Sequence, residues 1–168
     1  MKNLFTIFML MTTLSSMAQD GKATTVKKTF NRTTTINLNI EADPAIIWAL
    51  LTNASDYSRW NSTVVSIEGD IEKGKKIKLK STLDEKRTFK LKVKEMEPEK
   101  LLAWGDGKGK RTYTLEKLEG GKVRFKMHEK IGGLFFPMYK KFIPSFDESF
   151  EQFASDLKKE AELIQNSK

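Results

Sequence analysis

Ile36-Asn37-Leu38-Asn39-Ile40-Glu41-Ala42-Asp43-Pro44-Ala45-Ile46-Ile47-Trp48-Ala49-Leu50-Leu51-Thr52 is the stretch from which the architecture unfolds. Ile36, Leu38 and Ile40 alternate with two asparagines, so one face is apolar and the other polar, as in a half-buried strand. Asp43-Pro44 then opens a helix. An aspartate can accept from the free amides of the first turn, and proline at the first helical position gives up an N–H that had no partner anyway. Ile46, Ile47, Leu50 and Leu51 form the buried face of that helix. Residues 53–61 read as a second short helix or turn that ends on Tyr57 and Trp60.

Downstream, apolar and polar residues alternate over 64–69, 76–81, 88–96, 100–104, 111–118 and 122–131, which makes six further strands. Turn chemistry separates them, at Glu72-Lys73-Gly74, 83–86, Glu97-Pro98-Glu99, 105–109 and Glu119-Gly120-Gly121. Such short links favour antiparallel neighbours. The chain then closes on Phe146, Phe150, Phe153, Leu157, Ala161 and Ile164, spaced 4, 3, 4, 4 and 3 apart, a stripe at the helical period of about 3.6 residues. Ser145 and Glu148 have capping-box spacing, which starts this helix at Ser145. Residues 135–142 read as a separate short helix broken before Pro144.

Upstream, Lys2, the mostly apolar run 4–14 and the small residues of Ser16-Met17-Ala18 predict a signal peptide over 1–18, cut before Gln19. The mature protein is accordingly expected outside the cytoplasm, periplasmic or secreted. Residues 19–29 are polar and read as a mobile leader, and 30–166 as one domain. With 30 basic and 22 acidic residues in 168, the chain carries a formal charge of +8. It has no Cys, which excludes disulfides and thiolate chemistry, and its single His argues against a His-based triad or metal cluster. No phosphate loop, nucleotide fingerprint or metal-ligand spacing occurs, so no cofactor, metal or catalytic residue is assigned.

One strand, two small helices, six strands and a long last helix, with the opening Ile40–Thr52 motif, Asp56-Tyr57, Trp60-Asn61 and Val64–Gly69, resembles the START-like (SRPBCC) superfamily. The resemblance is to its polyketide cyclase/dehydrase and lipid-transport branch, and it covers roughly Phe30 to Leu163. Where that family often shows His-x-Glu-x-Phe-x-Gly, this chain has Met127, Glu129, Ile131 and Gly133, with Met127 in place of the histidine. The resemblance implies an α+β helix-grip fold: a seven-stranded curved antiparallel sheet around the C-terminal helix, two short helices after the first strand, and an apolar cavity between sheet and helix. Its members include carriers, cyclases, hydrolases and chaperone-associated domains.

Candidate ligand contacts follow from the aromatic load. Six of the eleven Phe lie between Phe135 and Phe153, among them Phe136, Phe142, Phe146 and Phe150, while Trp60, Phe89, Trp104, Tyr113 and Phe125 fall on strands or the helical corner. They read either as the lining of a cavity closed by 132–143 or as ordinary core. A three-residue loop at 119–121 would set Arg111 opposite Glu129 and Tyr113 opposite Met127, all facing inward. That trio of Arg111, Glu129 and Tyr113 is either a structural ion pair with a neighbour or a set able to orient a carbonyl or do weak acid–base work. His128 points the other way. Lys76, Lys78, Lys80, Lys90, Lys92 and Lys94 share the outer face, as a solvated surface or as an attraction for anionic headgroups. Nucleic acid is not expected, because the aromatics alternate away from the lysines. The leading expectation is an exported binding or carrier protein for a hydrophobic small molecule or lipid. The alternatives are a polyketide cyclase/dehydrase-like enzyme and an interaction module with a filled interior.

Overall fold

The computed structural model describes residues 20–167; the signal peptide expected over 1–18 lies outside them. In chain order the elements are β1 (Thr24–Lys27), β2 (Asn31–Ile40), α1 (Pro44–Thr52), α2 (Tyr57–Trp60), β3 (Val64–Glu68), β4 (Lys76–Ser81), β5 (Asp84–Glu97), β6 (Leu101–Gly105), β7 (Gly109–Lys117), β8 (Val123–Gly132), α3 (Phe136–Tyr139) and α4 (Asp147–Asn166). The strands make one antiparallel sheet ordered β1-β2-β8-β7-β6-β5-β4-β3. The sheet curves around α4 in a helix-grip arrangement.

Local chemistry explains the joints. The Asp43 carboxylate accepts from the Ala45 N–H at 2.8 Å, with Pro44 opening α1 behind it. The Tyr57 hydroxyl, fully buried, donates to the Leu51 carbonyl at 2.8 Å and so fastens the α1–α2 corner. Ile36, Leu38 and Ile40 of β2 face the same core as Phe150, Phe153, Ala154, Leu157 and Ala161 of α4. At its centre the Phe153 ring meets Tyr57, Trp60 and Tyr113 at centroid distances of 6.4, 5.7 and 5.7 Å.

Three expectations are corrected. The sheet has eight strands rather than seven, because Thr24–Lys27, inside the expected mobile leader 19–29, pairs with Arg32–Thr35. This strand buries almost nothing, and Val26 is half exposed, so no apolar alternation announces it. Ladder bonds hold it, together with the Ala23 N–H and Lys22 on Glu151 and the Thr25 hydroxyl on Asp147 of α4. Secondly, α4 starts at Asp147 with Phe146 as its N-cap; the Ser145 hydroxyl turns to the Asp147 carboxylate at 3.1 Å instead of forming a capping box. Finally, β5 starts at Asp84, since Ser81 pairs with Asp84 across a turn tighter than 83–86.

Phe153 fills space that no neighbour can enter without leaving its own packing. Phe153→Ala is therefore expected to cost about 3–5 kcal/mol in urea unfolding, in line with other buried aromatic truncations. A loss under about 1 kcal/mol would contradict the placement of α4 in the sheet's grip.

Candidate functional site

The inward face of the sheet changes character along its length. Leu38, Phe125 and Leu115 lie side by side on β2, β8 and β7, and Ile36, Met127 and Tyr113 form the next row. One row further on, the neighbours are Thr34, Glu129 and Arg111; the row after that holds Arg32, Ile131 and Gly109. Apolar side chains fill the first two rows to an aromatic core. Trp104 against Tyr113 at 5.0 Å and Tyr113 against Phe125 at 6.2 Å leave no room there. Beyond them the interior opens into a cavity of about 290 Å³.

Leu79, Phe89, Leu91, Trp104, Ile131 and Phe146 line the cavity on its apolar side, and Tyr139, Phe142, Ile143 and Pro144 cover it. Arg111 and Glu129 stand at its inner wall, with Thr63, Ser81 and Ser149 as further polar contacts. The mouth lies among exposed Leu83, Asp84 and Arg87 at the β4–β5 turn and Asp106 and Lys108 at the β6–β7 turn. That second turn is ordered. The Asp106 carboxylate accepts from the Lys108 and Gly109 N–H groups at 2.7 and 2.8 Å. A Cβ on Gly105 would come within 2.1 Å of the Gly109 carbonyl oxygen, so this close crossing requires glycine.

The expected Arg111–Glu129 pair forms, with Arg111 Nε donating to a Glu129 carboxylate oxygen at 2.5 Å and the guanidinium 5.0 Å from the Phe150 ring centre. Burial works against the charge on Arg111, but Glu129 and Tyr113 more than offset it, so its pKa is raised. Beyond a poorly aligned approach to the Tyr113 hydroxyl, its terminal nitrogens have no hydrogen-bond acceptor among the described residues. The neighbouring Tyr113 hydroxyl is buried without a partner of normal geometry; burial pushes its pKa up to about 12, against the pull of Arg111.

Of the residues expected to touch a ligand, Phe89, Trp104, Arg111, Glu129, Phe142 and Phe146 line the cavity. Trp60, Tyr113, Phe125, Met127, Phe136 and Phe150 do not. The first four of these and Phe150 belong to the close-packed core; Phe136 is the buried anchor of the covering segment, edge-on to Tyr139. Aromatic residues serve cores and cavities alike, and composition does not separate the two uses.

Sequence reasoning missed Arg32. It is 8% exposed and donates to the carbonyls of Ile143 and Pro144 at 3.3 and 2.7 Å, with its guanidinium 4.5 Å from the Phe146 ring centre. Burial lowers its pKa, while Glu129 and Asp147 pull the other way. The signal was its parity: Arg32 continues the inward set Ile40, Leu38, Ile36, Thr34, and an inward arginine must find acceptors. On the outer face, Lys76 neighbours Lys92 and Lys78 neighbours Lys90, although Glu68 pairs with Lys78 at 3.1 Å. His128 also faces outward, with Nδ1 3.1 Å from the Thr35 hydroxyl.

The family model for polyketide cyclase / dehydrase and lipid transport matches residues 29–162. The chain belongs to this family. Its fold is START-like (SRPBCC). No curated protein matches it by sequence. Among solved structures, a conserved protein of unknown function, EF2215 from Enterococcus faecalis, is 16% identical with a TM-score of 0.60, covering 82% of this chain and 75% of that one. A START superfamily protein from Mycobacterium smegmatis is 11% identical with a TM-score of 0.58, covering 79% and 98%. The di-domain ARO/CYC StfQ of the steffimycin biosynthetic pathway is 8% identical, TM-score 0.58, covering 79% of this chain and 45% of that one. At these identities the likeness is one of fold.

Removing half of a largely buried pair leaves a charge that the apolar wall cannot solvate. Glu129→Gln is therefore expected to cost up to about 3 kcal/mol, the low end for buried pairs because both side chains keep some access to the cavity. Arg111→Met combined with Glu129→Leu should recover most of that loss in urea unfolding. Equal destabilisation by the single and double variants would contradict a pair held in an apolar setting.

Proposed function

We propose that the protein binds a hydrophobic small molecule, or one apolar chain of a lipid, in the cavity under Tyr139–Phe146, and carries it without chemically changing it. The observation that carries this reading is an apolar cavity whose inner wall offers one charge-balanced pair with unused donors. At about 290 Å³ it lies at the lower end of the range of about 300–1,000 Å³ for small-molecule sites, so a compact ring system or a short chain segment suits it. The free edge of Arg111 would take a carbonyl or hydroxyl oxygen of the ligand. Because Glu129 neutralises the guanidinium, a polar but uncharged ligand end fits better than a full anion.

The enzyme reading has less support. A proton-transfer group must reach the reacting atom. Tyr113 is 1% exposed and behind the cavity wall, Glu129 is engaged by Arg111, His128 faces outward and Met127 is fully buried. The reading places the carrier outside the cytoplasm on the strength of residues 1–18, and the outer-face lysines would draw it toward anionic surfaces from a distance.

Native mass spectrometry of protein purified from its own cell envelope should show an added hydrophobic mass that is lost in Leu91→Trp, which fills the cavity. N-terminal sequencing of that material should begin within about two residues of Gln19. A bare polypeptide that also fails to bind an apolar dye such as N-phenyl-1-naphthylamine would overturn the carrier reading.

A further inference from the structure

The segment that covers the cavity shows water a surface that folding alone does not explain. Leu134, Phe135, Met138 and Phe142 are 77%, 67%, 72% and 75% exposed, four large apolar side chains within nine residues. The local fold fixes this outward display. Phe136 is buried and meets Tyr139 edge-on at 5.5 Å, and the Tyr139 hydroxyl donates to the Gly132 carbonyl at 3.2 Å. With those two anchored inward, Phe135 and Met138 are left outside. Isolated exposed apolar residues are commonplace, but a contiguous group beside a cavity mouth marks an interaction surface.

The charge on this lip selects the partner. No acidic residue occurs from Gly132 to Ser145, whereas Lys140 and Lys141 are exposed there and have no ion-pair partner among the described residues. Lys108, on the facing turn at the mouth, places its ammonium 5.3 Å from the Tyr139 ring centre. We propose that this lip docks on an anionic lipid bilayer, with Phe135 and Met138 in the headgroup–acyl boundary and the lysines at the phosphates. A second copy of the chain is a poorer occupant, because a two-fold contact through this face would set Lys140 and Lys141 against their own equivalents. Phe142 is both exposed and part of the cavity lining, so docking makes the cavity continuous with the acyl layer and gives an apolar ligand a path that avoids water. The outer-face lysines, one of them already held by Glu68, attract at long range but do not insert. The inference rests on the cavity reading above and adds where the ligand is collected or released.

Co-sedimentation with vesicles of phosphatidylcholine, alone or mixed with phosphatidylglycerol, tests it. Wild-type protein should bind the anionic vesicles and release them as salt rises and the Debye length falls to about 3 Å. F135S/M138S, which replaces no residue of the cavity lining, should lose binding even at the low salt where the wild type binds. K140Q/K141Q should weaken it roughly thirty-fold on anionic vesicles only. K78Q/K90Q on the outer face should change it by less than about threefold. Wild-type binding by both lip variants would overturn the proposal, as would a dimer that F135S/M138S converts to monomer with vesicle binding intact. Dye binding in the absence of vesicles separates the two readings. An empty cavity with vesicle docking intact fails the carrier reading alone; a filled cavity with no docking fails this one alone.

Discussion

The structure turns on the point where the inward faces of β2, β7 and β8 pass from apolar to charged residues. Up to Ile36, Met127 and Tyr113 the sheet presents groups that α4 can cover with Phe153 and Leu157. One register further on it presents Thr34, Glu129 and Arg111, and a charge in that position cannot be covered by hydrocarbon without severe desolvation. Glu129 solves part of the problem by pairing with Arg111, and Arg32 solves another part by reaching two backbone carbonyls. What remains is an interior that aromatic packing does not fill. The core stops there and the cavity begins.

The cover over that cavity is held differently from the core. Phe136 is its one deeply buried side chain, and polar ties do the rest: Arg32 to Ile143 and Pro144, and Tyr139 to Gly132. Segments with few buried apolar contacts open at lower free-energy cost than the core around them. In the proposed carrier, a ligand would enter beneath Phe142 and Ile143 without disturbing the aromatic cluster around Phe153. One segment thus combines a loose attachment with the most apolar exposed surface of the described residues, a combination that suits transfer between a membrane and a closed interior.

Much of this was legible in the sequence. Alternation in 36–40, the Asp43-Pro44 helix start and the stripe from Phe146 to Ile164 carried the architecture, and the loop at Glu119-Gly120-Gly121 fixed the register that opposes Arg111 to Glu129. Strand β1 stayed hidden because its stability comes from main-chain bonds and from Glu151 and Asp147, more than a hundred residues away. The division of aromatics between core and cavity was equally hidden. Tyr113 and Trp104 sit in similar strand contexts, yet Trp104 reaches the cavity and Tyr113 is sealed behind it. Which ring meets empty space depends on where neighbouring strands run out of apolar residues, and that is a property of three strands together. Arg32 was readable by parity, as the one charge on an otherwise neutral inward set.

The most direct test of this account is a crystal structure of the protein purified from its own envelope without delipidation. The account predicts electron density for a bound apolar molecule between Leu79, Phe89, Leu91 and Phe146, with an oxygen within hydrogen-bond reach of the Arg111 terminal nitrogens. Density confined to protein, with Phe142 and Phe146 collapsed onto the Arg111–Glu129 pair and no space left between them, would contradict it.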